Sequence, residues 1–439
     1  MGRRVRRNRF GPGCANLVSV YNRHVNLCLL LHFYQPSNQF EHVFKKITHE
    51  CYIPLFKSIK TDKRIRLSID VPLSLLEQLD RYGFSWLISD IKELVDSSRL
   101  ELVGSAAYHP LLTKLPPNFI ETQVILNESA LAYYFGAAKD FEGEECFMIK
   151  GLRGFFPPEM AINHQVLATL GALGYDWVAV DRACLPKDLT GGLEGGCIYS
   201  LGSHMPKLVV RDSTLSNLVS FKRDLDKADI VAALTKDSSD KVLALDAETF
   251  GHHYKDGVYL FDSLLAESID RGIELSTVSE VVCASDALAV SAVTESTWSS
   301  TQEEIYPLWE TANSKITCAL WGLYEAVHAE VSAKYPVELP TRPMVSSPAG
   351  GGVPVWRYKY DNRIAAPDLH TRIELGMTKL EQSDQFWWST GINLMGRPNF
   401  SKYMVDSALD YYDEVVEALG SNKLLVDRLA DLRNLLRDY

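Results

Sequence analysis

The chain has 439 residues, long enough for one barrel-sized domain and a smaller one. Its charge is acidic, 45 Lys and Arg against 56 Asp and Glu for a net of -11, so nucleic-acid binding has no electrostatic support and a neutral or polar ligand is favoured. Eight dispersed cysteines (Cys14, Cys28, Cys51, Cys146, Cys184, Cys197, Cys283 and Cys318) form no C-x-x-C pair, which excludes a zinc ribbon or thioredoxin-like motif and leads us to expect reduced thiols in a cytoplasmic protein.

The first 22 residues are basic, with Arg3, Arg4, Arg6, Arg7 and Arg9 and no apolar periodicity, and a flexible tail is expected there. The apolar run from Val25 to Phe33 is too short to cross a bilayer, and no signal-peptide order precedes it. It reads as a buried strand ending at His32, before a loop broken by Pro36. Arg64 to Asp70 repeats the design, followed by helical patterns at Leu73 to Leu79 and Trp86 to Val95. Arg99 to Ser105 delivers His109 to its end. After a helical stretch from Phe119 to Ala138, Gly151 to Phe156 carries Glu159 at its end. A helix from Gln165 to Leu173 precedes Tyr175 to Asp181, and Pro206 to Asp212 follows a Gly-rich loop. Lys241 to Asp246 is the seventh such strand, its unbroken apolar run suited to burial on both faces, with Asp246 and Glu248 where it stops.

Seven strands separated by helices, each ending in a polar or ionisable residue, predict an α/β fold. The expected form is a (β/α)7 incomplete TIM-like barrel over residues 23–285, with its site at the carboxyl rim. A doubly wound open sheet is the competing architecture. From 286 to 439 the pattern becomes a Ser/Thr-rich linker with Trp298 and then a C-terminal helical bundle, with helices at Asn313 to Ala333, His370 to Trp388, Tyr403 to Leu419 and Lys423 to Leu436. The Pro/Gly stretch from Tyr335 to Asp368 is expected to be disordered or part of a binding surface.

The rim collects Asp70, Glu159, Asp181, Asp246 and Glu248 with His32, His109, His252 and His253. No H-E-x-x-H spacing supports a metal site, Gly191 to Gly196 lacks the Lys-Ser/Thr of a phosphate loop, and no G-x-S-x-G marks a serine nucleophile. Cleaving a glycosidic bond needs only two carboxyl groups facing one cleft, and Glu159 and Asp246, on different strands, meet that requirement. The plainer alternative makes Asp246 a helix cap and Glu248 a solvated loop acid.

The segments HFYQP, ELVGSAAYHPLL, GFFPPEMA and LDAETFGHH, in this order and spacing, resemble the four signature regions of glycoside hydrolase family 57. SDQFWW, Ser383 to Trp388, resembles that family's patch in the helical region. The resemblance implies a retaining α-glycosidase or α-glucan transglycosylase of the α-amylase or 4-α-glucanotransferase type. Glu159 matches the nucleophile and Asp246 the general acid/base, and no cofactor is called for. It also implies substrate contacts at His32, His109, Glu248, Asp384 and Trp387. On this reading the site should stabilise charge on Glu159 and disfavour it on Asp246. Two positions depart from the pattern: Tyr34 stands where the first segment usually has a second histidine, and His109 where some members carry an acid. The expected partner is an α-glucan or oligosaccharide, not nucleic acid or membrane. The other readings are an inactive α-glucan-binding or regulatory homologue and a metal-dependent carbohydrate deacetylase or mannosidase-like hydrolase.

Overall fold

The structure, a computed structural model, describes residues 25–136, 152–186, 198–221, 227–234, 236, 239–335, 355–357, 359, 367–394, 397–398 and 400–438. The basic tail, the Gly191 to Gly196 loop and most of the Tyr335 to Asp368 stretch lie outside these residues. Among the described residues no helix is long and apolar enough to cross a membrane.

Strands appear at β1 (Asn26–His32), β2 (Leu67–Asp70), β3 (Leu100–Val103), β4 (Gly154–Phe155), β5 (Trp177–Val180), β6 (Ile198–Ser200), β7 (Lys207–Val210) and β8 (Lys241–Asp246). All but β6 correspond to the seven apolar runs of the sequence. Parallel pairing orders one sheet β3-β2-β1-β8 and the other β4-β5-β7. Two narrow seams join the sheets. At the first, Gly104 N–H donates to Gly154 O and Phe156 N–H to Gly104 O, both at 2.8 Å. Neither glycine has room for a Cβ, because the Tyr175 hydroxyl and the Trp177 ring occupy those spaces at 2.4 and 2.0 Å. At the second, Asp212 N–H donates to Val242 O at 2.7 Å, and the Arg211 guanidinium reaches Ala244 O at 3.1 Å. A side chain thus completes a ladder that the backbone leaves open.

Side chains alternate across the strands, as the two-residue period requires. Cys28, Leu30, Val103, Phe156, Trp177, Ala179, Val209, Val242 and Ala244 form one buried cluster inside the ring. Leu27, Leu29, Leu31, Leu67, Ile69, Leu243 and Leu245 point the other way, into the barrel helices. Phe155, Val178, Val180, Leu208 and Val210 face a second outer layer, which includes Leu320, Leu380, Leu409 and Leu432 of the C-terminal helices. That half of the barrel therefore packs directly on the helical region. The helix Val278–Ala284 closes the amino end of the ring, where Val278 N–H meets Ser68 Oγ at 2.9 Å and Ser279 N–H meets Glu101 Oε2 at 3.2 Å.

Short pairings escaped the sequence. β6 runs antiparallel to β7, while Glu274–Leu275 pairs parallel beside the start of β1 and Leu288–Ala289 parallel beside β6. Two or three residues show no period. The helical pattern from His370 to Trp388 is also two helices, Leu369–Leu380 and Asp384–Thr390. Between them Gln382 bridges Pro110, and Ser383 N–H leaves the helical ladder to bond His109 O at 2.9 Å. The break is where the helical region touches the barrel rim.

Candidate active site

At the rim three strand ends lie level, since His32 is the Cα partner of both Asp70 and Asp246. Pairing alone therefore lines an imidazole up between two carboxyls. His32 Nδ1 contacts Asp70 Oδ2 at 2.8 Å, and its Nε2 meets His109 Nε2 at 3.1 Å. Burial by itself would lower the His32 pKa, but the adjacent Asp70 carboxylate more than offsets it, with Asp246 and Glu248 adding to the effect, and the group is pushed up to about 9. His109 has no such partner. Burial and the His32 charge hold it well below the ordinary histidine range, so it stays neutral.

Glu159 sits in the short turn Pro158–Met160 with φ at 58°, and His109 has the same φ, a left-handed backbone that non-glycine residues adopt only when their surroundings hold them there. The restraints are visible. Trp298 N–H donates to Glu159 O at 3.1 Å, its indole N–H donates to Glu159 Oε2 at 2.8 Å, and Ile162 and Ser296 exchange two hydrogen bonds just beyond. The other oxygen, Oε1, lies 3.9 Å from His109 Nδ1.

Burial, followed by the charges of Asp384 and Asp246, pushes the Glu159 carboxyl up to about 8, while His32 and the Trp298 N–H pull the other way. This is opposite to the expectation that the site favours charge on Glu159. The reason is crowding, because the tertiary fold packs acids from three separate segments into a dry rim.

Asp384 opens the helix Asp384–Thr390 and accepts the Tyr34 hydroxyl at 2.5 Å; burial lifts its carboxyl to about 6. The Tyr34 ring in turn stacks on His109 with centroids 3.8 Å apart. Glu248 accepts from the Tyr52 hydroxyl and, at 3.3 Å, from the Gln35 amide; burial and then the Asp246 charge push it up to about 7. Tyr52 is placed by a single π-helical turn, Thr48–Tyr52, set between two α-helices. The strand-end loop packs hard against that turn at Gly251, where φ is 129° and a Cβ would sit 2.1 Å from Glu50 O. Gly251→Ala is therefore expected to cost about 2 kcal/mol or more of stability. Chemical denaturation should show the loss as a lower midpoint; an unchanged midpoint would mean the loop absorbs the methyl without strain.

A known family model matches the part of the chain that carries all of these positions but Ser296, Trp298 and Asp384. Glycosyl hydrolase family 57 covers residues 18–290, more than half of the chain. The chain belongs to this family. An alpha-amylase of Pyrococcus horikoshii is 23% identical over 157 residues, an alignment that takes in 36% of this chain and 22% of that protein, so the match spans under a quarter of the relative's length. A family 57 branching enzyme from Pyrococcus horikoshii superposes with a TM-score of 0.65 at 15% identity, over 92% of this chain and 94% of its own. The 4-alpha-glucanotransferase of Thermococcus litoralis gives 0.59 at 16% identity, over 90% and 58%. At such identities these superpositions speak to the fold.

In this family 57 chain the rim brings together Glu159, Asp246, His32, His109, Glu248 and Asp384. Both ring nitrogens of His32 are engaged by Asp70 and His109, and the residue is 2% exposed. Trp387 is half-buried against the core of the helical region, while its neighbour Phe386 is buried and stacks on Trp321 at 3.6 Å. Asp181 is taken up structurally, by the Arg211 guanidinium and the Ser213 hydroxyl, each at 2.7 Å. His252 turns outward to Glu50 at 3.3 Å. Among the described residues no group of three or more His, Cys, Asp or Glu side chains is arranged to hold a metal ion. The sequence left Tyr52 unmarked, placed Ser383 only as the first residue of SDQFWW, and gave Trp298 no role. Tyr34 was marked only as a departure. A π turn and a helix break have no composition signal, so neither Tyr52 nor the role of Ser383 could have been found that way.

Proposed function

We propose that this chain is a retaining glycosidase or transglycosylase acting on α-glucans, with Glu159 as nucleophile and Asp246 as proton donor. The observation that carries the reading is the Glu159 carboxyl, restrained by the Trp298 indole N–H at the carboxyl rim of a family 57 barrel and within the field of Asp246 on β8.

In the first step the Glu159 carboxylate attacks the anomeric carbon while Asp246 protonates the departing glycosidic oxygen. A covalent glycosyl-enzyme results. Asp246, now a carboxylate, takes a proton from water or from an acceptor sugar hydroxyl, and that oxygen displaces Glu159 with a second inversion. The substrate's developing positive charge stabilises ionised Glu159 when it is needed, which offsets the crowding that favours its protonated form. Glu248, Asp384 and Tyr34 supply the polar edge for sugar hydroxyls, and His109, its ring nitrogens held by His32 and Ser383, backs them. Trp387 offers an aromatic face, and His32 acts through its charge.

The test is incubation with maltooligosaccharides, amylose and pullulan, followed by product-length analysis and NMR of the first-formed anomer. Retained configuration is expected, with products longer than the substrate if transfer dominates. An inverted anomer, or no product from any α-glucan, would overturn the reading.

A further inference from the structure

Asp70, His32, His109 and Ser383 form one buried chain, linked at 2.8 Å, 3.1 Å and 3.1 Å. The middle link is Nε2 to Nε2, and such a contact accommodates one proton. The far nitrogen of His109, Nδ1, faces Ser383 Oγ at 3.1 Å, Glu159 Oε1 at 3.9 Å and Asp384 Oδ2 at 4.0 Å. Phe156 stacks on His32 at 4.6 Å and Tyr34 on His109 at 3.8 Å, so neither ring is free to flip. The charged and titratable groups around His32 are Asp70, Asp246, Glu248, Glu159, Asp384, Tyr34 and His109. Around His109 they are His32, Glu159, Asp384 and Tyr34, whose hydroxyl is already given to Asp384.

We propose that His32 and His109 are a tautomer relay, in which protonation of His32 decides whether His109 presents a lone pair or an N–H to Glu159 and Asp384. With His32 neutral, its Nδ1–H bonds Asp70, the shared proton resides on His109 Nε2, and His109 Nδ1 accepts from the Ser383 hydroxyl. When one proton enters from solvent, it settles on His109 Nδ1, the shared proton crosses to His32 Nε2, and the Ser383 hydroxyl rotates to accept. His32 gains the positive charge. His109 stays neutral but now turns a donor toward the two carboxyls, which favours their ionised forms. Both histidines are positioning residues in this scheme. The relay deepens the glycosidase reading, yet the proton placement it requires is measurable without turnover.

The experiment is a pH titration of the whole chain labelled with nitrogen-15 histidine, read by imidazole NMR, with His109→Gln supplying the assignment. His109 Nδ1 should change from bare to protonated with the same midpoint at which His32 becomes doubly protonated, near pH 9. Asp70→Asn should lower both midpoints together, by roughly one pH unit or more. A His109 tautomer fixed across the range, a doubly protonated His109, or a His109 midpoint that stays put while that of His32 moves would each overturn the relay. Coupled midpoints in a chain with no activity on any α-glucan would support the relay and overturn the glycosidase reading instead.

Discussion

Glu159→Gln is expected to reduce turnover of maltooligosaccharides by roughly 10⁴-fold or more while leaving the fold in place. The amide fills the same space and still accepts the Trp298 N–H, but it cannot form the covalent intermediate. The Glu159 pKa is raised from 4.5 to about 8, so between those values the folded chain holds a proton that the unfolded chain has released, and stability falls as pH rises through that window. Glutamine carries no such charge. Thermal unfolding at pH 8 should therefore place the variant at or above the wild type, and a variant that is both folded and fully active would remove Glu159 from the mechanism.

Asp246→Asn should lower turnover of natural glucans by roughly 10²–10⁴-fold. The loss depends on the leaving group. A sugar alkoxide needs the proton that Asp246 is proposed to deliver, whereas an activated aryl group departs without one, so the glycosylation step on an aryl α-glycoside should be largely spared. Stopped-flow release of the aryl group from wild type and variant makes the comparison. Equal losses on both substrates would assign Asp246 to binding, not to proton transfer. Asp246 lies at the end of β8 beside His32, and its removal withdraws one of the charges that raise Glu159 and Glu248.

Much of this molecule is legible along the chain because parallel strands buried on both faces must be apolar without interruption, and a chain leaving such a strand must turn polar. Val25 to Phe33 and Lys241 to Asp246 follow that rule and became β1 and β8, with His32 and Asp246 at their ends. The same rule located Glu159 and marked Asp181 as a rim acid. It could not say that Asp181 is neutralised by Arg211, since the partner is supplied by a neighbouring strand.

What the amino-acid order determined by itself was local: which runs are strands, where each ends, and which ionisable residues sit at those ends. Tertiary structure decided everything that depends on two distant segments meeting. It broke the helix at Ser383 so that Asp384 reaches Tyr34, 350 positions away, and it set His109 against His32 across 77. It also reversed the expected charge preference at Glu159, because desolvation and the fields of Asp384 and Asp246 are properties of a folded rim. Periodicity reports which side of a strand or helix is apolar. It carries no information about which other element will cover that side, and the protonation of a buried carboxyl is set by that cover.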